Sequence, residues 1–186
     1  LESGLVIRVP LFVEENDVFK FTNDEFGLIK VLDPMTEERV VLRHSLITSL
    51  LDVYNYNKAR SIKDLAIFEL GSGFSSINGE YTEESKLACL LTGVYTEGLV
   101  KESYDFYTMK GIVEDLLDYL GYSGRYSFVI NDSIPDTFHP GQSAAISVNN
   151  DIVGIIGRVH PVKSKEAVYV MEINLDKLLA KKVGKM

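Results

Sequence analysis

Two stretches carry apolar residues at helical spacing. The first runs from Leu46 to Tyr56, where Leu46, Ile47, Leu50, Leu51, Val53 and Tyr54 form one broad stripe at about i, i+4 and i+7. Ser45 stands where an N-cap belongs, and the helix continues through Asn57-Lys58-Ala59-Arg60, whose basic residues suit the negative end of the helix dipole. The second runs from Thr108 to Leu120, with Met109, Ile112, Val113, Leu116, Leu117 and Leu120 on one face and Gly121 placed to end it. The other apolar residues fall in short blocks that predict strands: Leu5 to Val13, Val18 to Phe21, Leu28 to Leu32, Val40 to Leu42, Asp64 to Leu70, Lys86 to Gly93, Arg125 to Ile130 and Val168 to Ile173. Gly71-Ser72-Gly73 is expected to stop the strand before it, with Phe74 to Ile77 resuming after the break, and Leu175 to Lys182 reads as a terminal helix.

The clearest strand pair lies between two His-Pro dipeptides, His139-Pro140 and His160-Pro161. Ser143 to Val148 alternates small or polar residues with apolar ones, and Ile152 to Gly157 is a β-branched run. Asn149-Asn150-Asp151 between them is turn chemistry, because Asn and Asp tolerate positive φ. Each proline removes a backbone donor and pushes the preceding residue into extended geometry, so each is expected at a strand edge. The result is a hairpin at the centre of an antiparallel sheet. Strands come mostly in runs, with two or three helices between and no strict β-α-β alternation, which predicts an α+β fold: an antiparallel β-sheet flanked by helices. Residues 28–186 form the expected domain, and residues 1–27 stay unassigned or part of it.

Composition narrows the function classes. The 186 residues are 46% hydrophobic and 25% charged, enough apolar material for one core. No run approaches the roughly 18 apolar residues that span a bilayer, and Leu5 to Val13 is interrupted by Arg8 and Pro10, unlike a signal peptide. The expected setting is therefore cytoplasmic, with no membrane. A net charge of −8 and no basic run beyond Lys181-Lys182 argue against a domain that grips nucleic acid by itself. The single cysteine, Cys89, sits in an apolar run and reads as a small buried hydrophobe.

No catalytic constellation follows from the residues. His44, His139 and His160 lack metal-ligand spacing and read as hydrogen-bonded structural histidines. Asp132, Asp136 and Asp151 read as turn formers. Gly71-Ser72-Gly73 and Gly154-Ile155-Ile156-Gly157-Arg158 have no following helix start to cradle a phosphate. Tyr104, Phe106 and Tyr107 read as a core or interface aromatic cluster, with stacking on a ligand the other use of such rings.

Four segments in order are similar to a known family. They are Val31 to Glu38 with Leu42 to Leu51 (VLDPMTEE, then LRHSLITSLL), Ile67 to Phe74 (IFELGSGF), Asp105 to Glu114 (DFYTMKGIVE), and His139 to Ala144 with Val153 to Pro161 (HPGQSA, then VGIIGRVHP). Together, over residues 28–178, they resemble the phenylalanyl-tRNA synthetase beta chain in its central catalytic-like module. Asp33, His44, Thr48, Gln142 and Arg158 depart from the pattern.

The resemblance implies a class II synthetase fold and an α2β2 assembly whose alpha chain joins phenylalanine to tRNA(Phe), with tRNA(Phe) met through the holoenzyme. Motif 1, around Asp33 to Leu51, builds subunit contacts in class II enzymes. Arg43, Leu46, Ile47, Leu50, Leu51 and Tyr54 are therefore the expected interface residues. The resemblance also implies an inactive copy of the fold, with no cofactor here and with ATP and magnesium at the alpha chain. Strand Leu65 to Leu70 carries no arginine, and Glu172, Asn174 and Lys177 stand where motif 3 has Gly-x-Gly-x-Glu-Arg. A forked guanidinium matches phosphate oxygens; a lysine does not. Two rivals stand beside this structural subunit-interface role. One is an active adenylate-forming ligase of the same fold, for which Arg125 or Arg158 would have to serve. The other is an unrelated acidic α+β binding module. The chain has no room for anticodon-binding or editing domains and is expected to be a piece of a longer polypeptide.

Overall fold

A computed structural model of the chain describes residues 12–13, 27–32, 40–97, 100–130 and 134–180. In chain order the elements are β1 (Phe12–Val13), β2 (Val41–Leu42), α1 (Leu46–Lys58), β3 (Leu65–Ile77), β4 (Glu80–Thr92), β5 (Val94–Glu97), β6 (Val100–Ser103), α2 (Phe106–Tyr119), β7 (Tyr126–Val129), β8 (Phe138–Val148), β9 (Asp151–Val159), β10 (Val168–Asn174) and α3 (Leu175–Ala180). Six strands form an antiparallel sheet in the order β3-β4-β10-β9-β8-β7, flanked by two short two-stranded ribbons, β1-β2 and β5-β6. The expected α+β class and antiparallel sheet are the ones observed.

The helices take opposite faces. On one, Leu46, Ile47, Leu50, Val53 and Tyr54 of α1 pack on Leu65, Ile67, Ala88, Leu90, Val168 and Val170. On the other, Met109, Val113 and Leu117 of α2 and Leu178 of α3 cover Leu91, Ile146, Ile156 and Met171. Each amphipathic stripe is thus consumed by the sheet, which is how most helices gain their stability. Among the described residues no helix is long and apolar enough to cross a membrane.

The hairpin of β8 and β9 lies where the sequence places it. Asn149 and Asn150 turn the chain at φ of 51° and 70°, and Val148 pairs with Asp151 across them. Two positive φ values in a two-residue loop match the right-handed strand twist. Both strands are longer than expected. Pro161 does follow the end of β9, but Pro140 lies inside β8, at a register shift between Phe138 and Ser143 where no ladder donor is needed.

Two expectations fail at the other end of the sheet. Gly71-Ser72-Gly73 does not stop β3, which pairs with β4 without a break from Leu65 to Ile77. The glycines serve close approach instead. A Cβ on Gly71 would come within 2.6 Å of the Arg43 guanidinium, and one on Gly73 would collide with the carbonyl oxygen of His44. Asn78-Gly79, with φ of 52° and 84°, joins β3 to β4 instead, and Asn-Gly is a strong hairpin signal in a sequence.

Helix ends are close to expectation. Ser45 caps α1 by accepting from the amide of Ile47. Asp105 caps α2 through the amide of Thr108, so α2 begins two residues earlier than read, and Gly121 follows it at φ 85°. The expected strand at Val18 to Phe21, the turn at Thr36-Glu37-Glu38, Asp132 and Lys181-Lys182 lie outside the described residues.

Candidate functional site

The segment entering α1 sits on the sheet through charged side chains. The amide of Phe74 donates to the carbonyl of Arg43, which lays residues 43–44 along β3. The Arg43 guanidinium pairs with Glu69 at 2.6 Å and donates to the carbonyl of Ser72 at 3.0 Å. Burial pushes the Glu69 carboxyl upward, and the Arg43 charge opposes that rise. Register places Glu69, Ala88, Glu172 and Ile155 in one cross-strand row on the α1 face.

Glu172 is the centre of the arrangement. It is fully buried, and its Oε2 accepts from the Ser45 hydroxyl at 2.8 Å and from the Leu46 amide at 2.7 Å. A carboxylate here satisfies a first-turn N–H and meets the positive end of the helix dipole. Its other oxygen lies 3.5 Å from the ammonium of Lys86, which is 3.6 Å from Glu84 and donates to the carbonyl of His44 at 2.7 Å. Buried charge is tolerable only with such compensation. Two residues on, Asn174 caps α3 by accepting from the Lys177 amide at 2.9 Å. The two residues at the expected glycine positions of motif 3 are thus both helix caps.

His44 lies beside this cluster, and burial together with the Lys86 charge lowers its pKa to about 4. The imidazole is neutral in the fold, while the unfolded chain takes a proton near the ordinary value of about 6.5. Stability is therefore full above pH ~6.5 and is lost as pH falls toward ~4, by roughly 3 kcal/mol from this group. Urea denaturation across that window should show a flatter profile for His44→Gln than for the parent chain.

The expected interface residues come together, but within the chain. Leu46, Ile47, Leu50 and Tyr54 are core, Leu51 packs half-buried against them, and Arg43 is held by Glu69. The Tyr54 hydroxyl donates to Glu166, which also pairs with Lys58 at 2.8 Å. Leu46, Ile47, Leu50 and Tyr54 are spent on the sheet of the same chain, while Leu51 stays half-buried at its margin; helical spacing alone does not say which apolar surface a stripe will meet. What lies open is Phe68, 73% exposed, and Leu70, 67% exposed, on the opposite face of edge strand β3. Alternation along Leu65 to Leu70 with the α1 stripe assigned to one face is the signal that could have found them.

The remaining candidates have local roles. The Nδ1 of His139 accepts from Gly141 and that of His160 from Val162. Cys89 is buried, with its thiol pushed up to about 11 by burial. Tyr104 stacks on Tyr95 at 5.0 Å, whereas Tyr107 is exposed. The Arg125 guanidinium donates to the Gly121 carbonyl and lies 5.2 Å from the Tyr122 ring centre.

The fold is that of class II aminoacyl-tRNA synthetases. Two solved pyrrolysyl-tRNA synthetase structures of Desulfitobacterium hafniense superpose with TM-scores of 0.58 and 0.55 at 15% and 16% identity, covering 93% and 82% of this chain and 60% and 52% of theirs. The chain belongs to the family of the phenylalanyl-tRNA synthetase beta chain CLM domain, whose model matches residues 9–175. That match reaches into residues 1–27, the segment expected to be unassigned or part of the same domain. Relatives named phenylalanine–tRNA ligase beta subunit are 40% identical over 156 residues in Bacillus subtilis and 36% identical over 182 residues in Staphylococcus saprophyticus, covering 79% and 92% of this chain. The chain spans about a fifth of the length of these curated relatives, 19% and 22%.

Proposed function

We propose that this domain is a structural, subunit-interface part of a phenylalanyl-tRNA synthetase beta chain. It supports phenylalanylation of tRNA(Phe) in a cytoplasmic α2β2 assembly and has no competent ATP site of its own. ATP and magnesium belong at the alpha chain. The observation that carries this reading is Glu172. A nucleotide over motif 3 needs room and positive charge, and here a buried carboxylate, engaged with the start of α1 and with Lys86, takes that place. Support for the interface comes from Phe68 and Leu70, neighbouring apolar side chains left bare on an edge strand. The acidic charge supports tRNA contact through other parts of the holoenzyme.

Equilibrium dialysis against ATP and magnesium tests the inactive-site reading. No saturable uptake by this chain is expected up to ~5 mM nucleotide, weaker than ordinary substrate affinities. Saturable uptake would overturn the reading in favour of an adenylate-forming ligase.

A further inference from the structure

We propose that the open edge of β3 pairs with the same edge of a second copy of this chain, antiparallel and centred on Phe68, joining the two sheets into one. The pairing concerns the chain on its own and does not rest on the scaffold role; an alpha chain seated on Phe68 and Leu70 would displace the copy. Alternate residues of an edge strand turn their backbone groups outward. In β3 the amides of Phe74 and Ser76 donate outward to the carbonyls of Arg43 and Gly27, and the Ser72 carbonyl accepts from the Arg43 guanidinium. The same alternation aims the N–H and C=O of Ala66, Phe68 and Leu70 outward, and no described residue pairs with them. Such an edge is a template for another strand, and natural edges are blunted by proline, lysine or a bulge. Leu65 to Leu70 has none of these. The side chains of Ala66, Phe68 and Leu70 all lie exposed on the face away from α1. On the other face α1 packs across β3, β4 and β10, centred one strand in, which leaves the edge clear.

The register selects a second copy as the occupant. About a two-fold axis at Phe68, that ring meets its own equivalent, and Ala66 meets Leu70 in both directions. Apolar faces apolar at every outward position, with an aromatic cross-strand pair at the axis. Each of these residues exchanges both backbone hydrogen bonds with its opposite. The open stretches also match in length. Past Leu70 the edge is held by Arg43 and Gly27, and before Leu65 the strand ends, so the copy's chain leaves before it reaches Arg43. A self-complementary patch is what a two-fold contact requires. The contact is short beside a standard interface of about 1,600 Å², so the dimer is weak.

Sedimentation equilibrium of the chain without any alpha chain tests this, so the pairing and the scaffold role can fail separately. A monomer–dimer equilibrium is expected, with a dissociation constant of about 100 µM. Phe68→Pro should weaken it at least about tenfold. Proline removes the outward N–H at the axis and spares the ladder to β4, which uses the alternate residues. Thermal melting shows whether that variant keeps its fold; if it does not, cross-linking decides alone. Hydrogen-bonded neighbours in antiparallel strands have Cα atoms about 5.5 Å apart, within disulfide reach. Ala66→Cys mixed with Leu70→Cys should therefore cross-link on oxidation. Neither variant should do so by itself, because equal positions lie well beyond the ~7 Å limit in this register. The native Cys89 is buried and stays out of the reaction. A monomer at all concentrations up to ~1 mM, a dimer left unchanged by a folded Phe68→Pro chain, or cross-linking of either cysteine variant alone as readily as of the mixture would each overturn the proposal.

Discussion

Glu172→Ala should destabilise the chain by about 3–5 kcal/mol, the cost of breaking a buried ion pair from one side. The carboxylate serves three partners, the Ser45 hydroxyl, the Leu46 amide and the Lys86 ammonium. Its loss leaves the Leu46 amide without its acceptor, and leaves the buried Lys86 ammonium facing Glu84 at 3.6 Å and the His44 carbonyl. Glu172→Gln separates the two effects: the amide oxygen still accepts from Ser45 and Leu46, so what is lost is the charge. It should cost clearly less than the alanine change. Lys86→Met combined with Glu172→Ala should be milder than the sum of the single changes, because the second removes the charge that the first leaves stranded. Urea midpoints of the four chains measure this, and strictly additive losses would show that the pair is not coupled.

Leu50→Asp should cost at least about 4 kcal/mol, since it opens a cavity under α1 and buries a carboxylate with no partner provided for it. Much of a domain's total stability is of that size, so the variant is expected to be largely unfolded. Phe68→Asp, by contrast, alters an exposed side chain and should cost about 1 kcal/mol or less, the range of strand propensity. The pair separates core from surface on two residues of similar hydrophobicity. Circular dichroism melts would refute the assignment if Leu50→Asp melts near the parent chain while Phe68→Asp does not.

Local order was legible in the sequence where a few neighbouring residues decide the outcome. The stripes of α1 and α2, the caps at Ser45 and Gly121 and the Asn149-Asn150 turn depend on spacing and backbone preference alone. What failed depends on contacts far along the chain. Gly71 and Gly73 read as a stop because glycine commonly breaks a strand, yet they admit Arg43 and His44 from an earlier segment. Leu46, Ile47, Leu50 and Tyr54 read as an interface because a resemblance pointed to motif 1, while the sheet of the same chain was there to cover them. In the sequence Glu172 and Asn174 stand out only as replacements for the glycines of a nucleotide site. Their roles as caps of α1 and α3 appear only when strand β10 brings them to the helix starts.

The most direct test of the scaffold role is light scattering on a size-exclusion column, with this chain mixed with the alpha chain of phenylalanyl-tRNA synthetase. A stable mixed complex is expected with the parent chain, and its loss is expected when Phe68→Asp and Leu70→Asp are combined in a chain that remains folded. Absence of a complex with the parent chain, or a complex that the doubly substituted chain forms equally well, would contradict the proposed interface.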